Sequence, residues 1–136
     1  MVTKVQKGNQ FQDWIQVWLE ERGWCVHNQK SVAKQVRTNR GMIWVSKRND
    51  IFGCIDLVAV NGDECLFIQA TMDQGKGRKL NDLLPIAWPR KCSVQVWIDR
   101  GKRRVTVFEL SGEELINIGE INKRQFTGKF KYGGKR

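Results

Sequence analysis

The run Ile55-Asp56-Leu57-Val58-Ala59-Val60-Asn61-Gly62-Asp63-Glu64-Cys65-Leu66-Phe67-Ile68-Gln69-Ala70-Thr71 reads as two β-strands joined by a tight turn. Aliphatic and β-branched residues dominate both halves, and Asn61-Gly62 supplies the turn signal between them. A hairpin around Asn61 to Glu64 is therefore expected. Side chains alternate along a strand, so Phe67, Gln69 and Thr71 share one face while Leu66, Ile68 and Ala70 share the other. Asp56 then falls beside Gln69. Two polar side chains stand where strands bury hydrocarbon. A carboxylate and an amide oxygen on neighbouring strands are hard oxygen ligands of the kind Mg²⁺ accepts, with water and phosphate filling its other positions. The alternative is structural: Asp56 caps the strand entrance and Gln69 hydrogen-bonds within a half-buried sheet.

Around this hairpin the elements can be placed coarsely. Asn9 is a candidate N-cap, and Phe11, Trp14, Ile15, Trp18 and Leu19 follow helical spacing up to a stop at Gly23. Gln12 lies about 100° round from Phe11, at the margin of that apolar stripe. Trp24 to His27 reads as a short strand. The basic stretch after it reads as loop or extended hairpin, until Met42-Ile43-Trp44-Val45 forms another strand. Asp73 to Lys79, with Gly75 and Gly77 among basic residues, reads as a flexible connection. A second helix is expected over Leu80, Leu83, Leu84 and Ala87, with Pro85 kinking it or sitting in its first turn. Strands follow at Ser93–Ile98 and Arg104–Leu110. Ser111-Gly112-Glu113-Glu114 is expected to open a last short helix through Ile116.

The order of these motifs is specific. Lys7-Gly8-Asn9-Gln10-Phe11-Gln12 opens a helix, Arg48-Asn49-Asp50-Ile51-Phe52-Gly53-Cys54-Ile55-Asp56 forms a Gly-containing loop that ends on an Asp, and Phe67-Ile68-Gln69-Ala70-Thr71 closes the next strand. Over about residues 4 to 110 this resembles the PD-(D/E)XK nuclease superfamily, and within it the archaeal-type and phage Holliday junction resolvases. The resemblance implies a restriction-endonuclease-like fold: α/β, with a central mixed sheet of the five-stranded type flanked by helices. It assigns Asp56 to the family's metal-binding Asp and Gln69 to its variable Glu or Gln. Two positions depart from the pattern. Gln12 stands where the resolvases carry a helix Glu, and Thr71 stands where they carry a Lys. The catalytic positions implied are thus Asp56, Gln69, Thr71 and Gln12, with Mg²⁺ as cofactor and Mn²⁺ as a substitute. Asp50 is a further candidate ligand, because the loop through Gly53 can fold both carboxylates toward one ion; capping a turn before Ile51 is its alternative role. A threonine hydroxyl cannot bring positive charge to a phosphate. Lys76, Lys79, Lys47 and Arg48 are the candidates to supply it.

Charge points to the same class of partner. Across 136 residues, 24 Lys plus Arg stand against 14 Asp plus Glu, for a net charge of +10. From Asn28 to Asn49 the six basic residues Lys30, Lys34, Arg37, Arg40, Lys47 and Arg48 meet no acidic one, and the tail from Asn122 repeats that pattern with Phe126, Phe130 and Tyr132 interleaved. Such surfaces bind nucleic acid through its phosphates. Lys7, Lys30, Lys34, Arg37, Arg40, Lys47, Arg48, Lys76 and Lys79 are the expected contacts. The length suits one domain, residues 1 to 121, with a basic tail over 122 to 136. Cys25, Cys54, Cys65 and Cys92 lack zinc-site spacing, and three of them sit in or beside apolar runs as small buried hydrophobes do. No stretch of about 20 apolar residues suggests a membrane span, so a reduced, cytoplasmic setting is expected. Three functions fit: a metal-dependent endonuclease on branched DNA acting as a two-fold homodimer, a DNA-binding protein of the same fold without cleavage, and an RNA-binding or assembly protein.

Overall fold

In a computed structural model, which describes residues 4–29, 32–47, 51–72 and 76–123, the chain forms an α/β fold built on a six-stranded mixed sheet. Helix α1 spans Lys4–Glu20. The strands are β1 Cys25–Asn28, β2 Val32–Thr38, β3 Gly41–Lys47, β4 Leu57–Asn61, β5 Glu64–Thr71, β6 Cys92–Gly101, β7 Arg104–Ser111 and β8 Glu114–Asn122, and α2 spans Lys76–Leu83 between β5 and β6. The main sheet has the order β1-β4-β5-β6-β7-β8, while β2 and β3 pair as a separate hairpin. Only β5 and β6 run parallel, joined through α2; the other neighbours are antiparallel. The expected mixed sheet with flanking helices is present. It has one strand more than the five-stranded type.

Each helix covers one face, and that division follows from strand alternation. Phe11, Ile15, Trp18 and Leu19 of α1 pack with Leu57, Ala59, Leu66, Ile68, Trp97, Val105 and Val107 on one side. On the other, Leu80 and Leu83 of α2 pack with Val58, Phe67, Val94, Val96, Ile98 and Phe108. Within the first layer Trp18 and Trp97 meet edge to face, 5.5 Å between ring centres. Burying side chains of this size contributes roughly 1.5–3 kcal/mol each. Helix α1 ends where Gly23 takes φ +90°, with Trp24 N donating to Leu19 O and Gly23 N to Glu20 O. Those paired bonds over a left-handed glycine make a Schellman stop.

The Asn61-to-Glu64 hairpin forms as expected, with Asn61 opposite Glu64 and Gly62 at φ +61°. Two expectations fail. Ser111 to Ile116 is not a helix: Gly112 takes φ +63°, Ser111 pairs with Glu114, and the chain returns as β8. The acidic residues after a Ser resemble a capped helix start, but a left-handed glycine reverses the chain before one turn can close. Lys76 to Lys79 likewise belong to the first turn of α2 and not to a flexible connection, and that helix stops at Leu83, before Pro85. Of the cysteines only Cys54 is buried; Cys25 is exposed, and Cys65 and Cys92 are half-buried neighbours in register on β5 and β6. No helix among the described residues is long and apolar enough to cross a membrane.

Candidate functional site at the carboxyl ends of β5 and β6

Asp56 sits immediately before β4, where that strand parts from β5. Its backbone N donates to Ile68 O at 2.9 Å, which continues the β4–β5 ladder by one bond. Its carbonyl accepts from Gln29 N at 2.8 Å, and Ala70 N donates to Asp56 Oδ2 at 2.9 Å. The carboxylate thus satisfies the Ala70 N–H at the fork between β1 and β5. The strand-capping role anticipated as an alternative is therefore real. It also fixes the carboxylate, 8% exposed, against the Gln69-Ala70-Thr71 segment.

Gln69 and Thr71 lie on the α2 side by alternation with Phe67, opposite Val96 and Ile98 of β6. Both are buried, Gln69 almost completely at 2% exposure. Gln69 Oε1 is buried with no hydrogen-bond partner. An amide oxygen in that condition costs about 1–3 kcal/mol relative to one that is paired.

Gln12 reaches the same end of the sheet from the other face. Asn28, opposite Leu57 in the β1–β4 pair, donates its amide to Asp13 Oδ1 at 3.0 Å and to Gln16 Oε1 at 3.1 Å. Those bonds hold the α1 segment from Asp13 to Gln16 over the Asp56 end of β4. Gln12, next to Asp13, is buried, and its Oε1 also lacks a partner, as does Asn28 Oδ1. The four expected catalytic positions are thus all buried polar residues, and the fold brings them to one edge. Because β5 and β6 are parallel, that edge lies at their carboxyl ends, the usual place for a site in an α/β sheet. A groove of about 320 Å³, lined by Leu83, Trp88, Cys92 and Leu110 among others, lies at the opposite end.

The structure places the remaining candidates unevenly. Asp50, Lys30 and Arg48 lie outside the described residues. Lys7, Lys34, Lys47 and Lys76 fall on α1, β2, β3 and α2, with their side chains outside the described set. Arg37 and Arg40 are exposed on the β2–β3 hairpin, whose turn is tied by Thr38 Oγ1 donating to Gly41 O at 2.8 Å and accepting from Arg40 N at 3.2 Å. Lys79 is half-buried on α2. One cation that sequence reasoning assigned to the tail is built into the fold. Lys123 Nζ donates to Asp99 Oδ2 at 2.8 Å and lies 5.1 and 5.3 Å from the ring centres of Phe11 and Trp14. Alternation puts Asp99 on the α1 face, across the sheet from Thr71. Nothing in the sequence marked that pairing, since it joins residues 24 positions apart.

No three His, Cys, Asp or Glu side chains among the described residues cluster as a metal centre. One carboxylate with amide oxygens is a different donor set, hard and oxygen-only, and it matches Mg²⁺ or Mn²⁺ rather than zinc. No protein-family model matches the chain, and no curated protein is similar to it.

Proposed function

We propose that this protein is a metal-dependent, structure-selective DNA endonuclease of restriction-endonuclease-like fold, resembling the Holliday junction resolvases and acting as a homodimer. One observation carries the reading: Asp56 is bonded directly to the Gln69-Ala70-Thr71 segment, and Gln69 Oε1 is left buried and unpartnered beside it. A core has no use for such an oxygen; a cation site does. Asp56 and Gln69 would hold the metal, with Asp50 a further candidate from the sequence. A divalent ion held by those oxygens would supply Lewis-acid chemistry toward water and phosphate.

The chain's own groups do the positioning. The Ala70 N–H holds the Asp56 carboxylate in one orientation, so no reorganisation is needed when substrate binds. Gln12 Oε1, buried and without a partner, would accept a hydrogen bond from a water at that end of the sheet. Thr71 can donate its hydroxyl proton to a phosphate oxygen but brings no charge. The basic surface, with Arg37 and Arg40 exposed on its hairpin, grips the phosphates.

Thr71 also favours a second reading, a DNA-binding protein of the same fold that no longer cuts. Labelled four-way junction and a matched linear duplex, each incubated with Mg²⁺, Mn²⁺ or EDTA, separate the two. Metal-dependent cutting confined to the junction is expected. Tight junction binding without cutting in either metal selects the second reading, and equal affinity for RNA and DNA removes both.

A further inference from the structure

We propose that Phe52 is a stacking platform for an unpaired DNA base. The inference rests on the DNA-binding reading above and names how that site recognises a branch. Among the described large apolar side chains Phe52 is the most exposed, at 65%. It also holds φ +56°, a left-handed conformation that residues with a β-carbon disfavour.

The loop enforces both properties. Ile51 N donates to Ile55 O at 2.7 Å, Ile55 N to Ile51 O at 2.8 Å, and Cys54 N to Ile51 O at 3.1 Å. Cys54 and Ile55 anchor this closed turn in the α2-side core. The tip residue is therefore fixed, and Phe52 is held outward.

Its ring is braced from below. Phe67 meets it at 6.3 Å and 60°, Trp88 at 5.9 Å and 82°, and those two rings lie 5.2 Å from each other. Steep edge contacts support a ring while leaving surface open above it. Phe67 precedes Gln69 by two residues on the same face, roughly 6.6 Å along the strand. Phe67, which braces the platform, is thus about two stacked bases from Gln69 along the strand. An exposed aromatic on a protein of +10 charge suits a base whose phosphate the basic residues hold. Stacking on an aromatic tolerates any base, which fits recognition of branches rather than of sequence.

The test uses the full chain in EDTA, so that binding is read without cutting, with a junction and a duplex each carrying 2-aminopurine, placed at the branch in the junction. Wild type should bind the junction more tightly and change the 2-aminopurine emission. Phe52→Leu keeps apolar volume and the same backbone demand; it should weaken junction binding roughly ten-fold and lose the emission change, with duplex affinity unaltered. Phe52→Trp should restore both signals. If Phe52→Leu keeps the emission change, or weakens duplex and junction alike, the platform is wrong. If that variant changes only the oligomeric mass, the ring belongs to a protein contact. In a parallel arm with Mg²⁺, wild type that cuts junctions alongside an equally active Phe52→Leu sinks the platform but not the nuclease, whereas wild type that binds no DNA in EDTA sinks both.

Discussion

Gln69 concentrates the tension between stability and function in this fold. Its amide oxygen is buried without a partner, on a strand whose other inward side chains are apolar or hydroxyl-bearing. Gln69→Leu keeps the length and removes the orphan oxygen. We expect it to raise unfolding stability by about 1 kcal/mol in metal-free buffer while eliminating cleavage, read by urea denaturation and by the junction assay. A loss of stability would show that the oxygen is satisfied. Asp56 and Gln69 were legible in the sequence because each interrupts an apolar run, and Gln12 because it lies at the margin of a helical stripe. Phe52 was not legible as a functional residue. Asn49 to Gly53 has the composition of any turn, and only the loop's backbone geometry determines that the aromatic faces outward.

At the scale of elements, local chemistry explains what could be read. The Asn61-Gly62 hairpin, the α1 stripe and the Gly23 stop are decided within a few residues, and the structure shows all three. Strand β8 was misread because Ser111 to Glu114 suits a helix cap as well as a hairpin, and pairing with β7 settles the choice. The Cys65–Cys92 neighbourhood was equally hidden, since it comes from the parallel register of β5 and β6. Burial, with the Cys92 thiol beside it, pushes the Cys65 thiol from 9.0 up to about 11. A thiol with a raised pKa binds its proton more tightly folded than unfolded. Its contribution is therefore complete below pH 9.0 and disappears as pH rises toward about 11. Urea midpoints at pH 8 and pH 10.5 should fall further for wild type than for Cys65→Ser; identical falls would mean that the thiol environment is not linked to folding.

Over the whole molecule, the architecture gathers the buried polar residues Gln12, Asp56, Gln69 and Thr71 at one end of the sheet. Two helices cover opposite faces, the parallel pair β5 and β6 ends at the fork held by Asp56, and the chain carries a net charge of +10. Fold class was readable from the order of periodic segments. The separate β2–β3 sheet and the sixth strand of the main sheet were not, because strand partnership depends on contacts far apart in sequence. Paired cuts in a symmetric junction require two sites related by a two-fold axis, hence the proposed homodimer. The most direct measurement compares wild type with Asp56→Asn on a labelled four-way junction, reading affinity in EDTA and cutting in Mg²⁺. Asn keeps an oxygen for Ala70 N but removes a negative charge near phosphate. Cutting should vanish while affinity holds or rises. Cutting at the wild-type rate in Asp56→Asn would contradict the assignment of this edge as the active site.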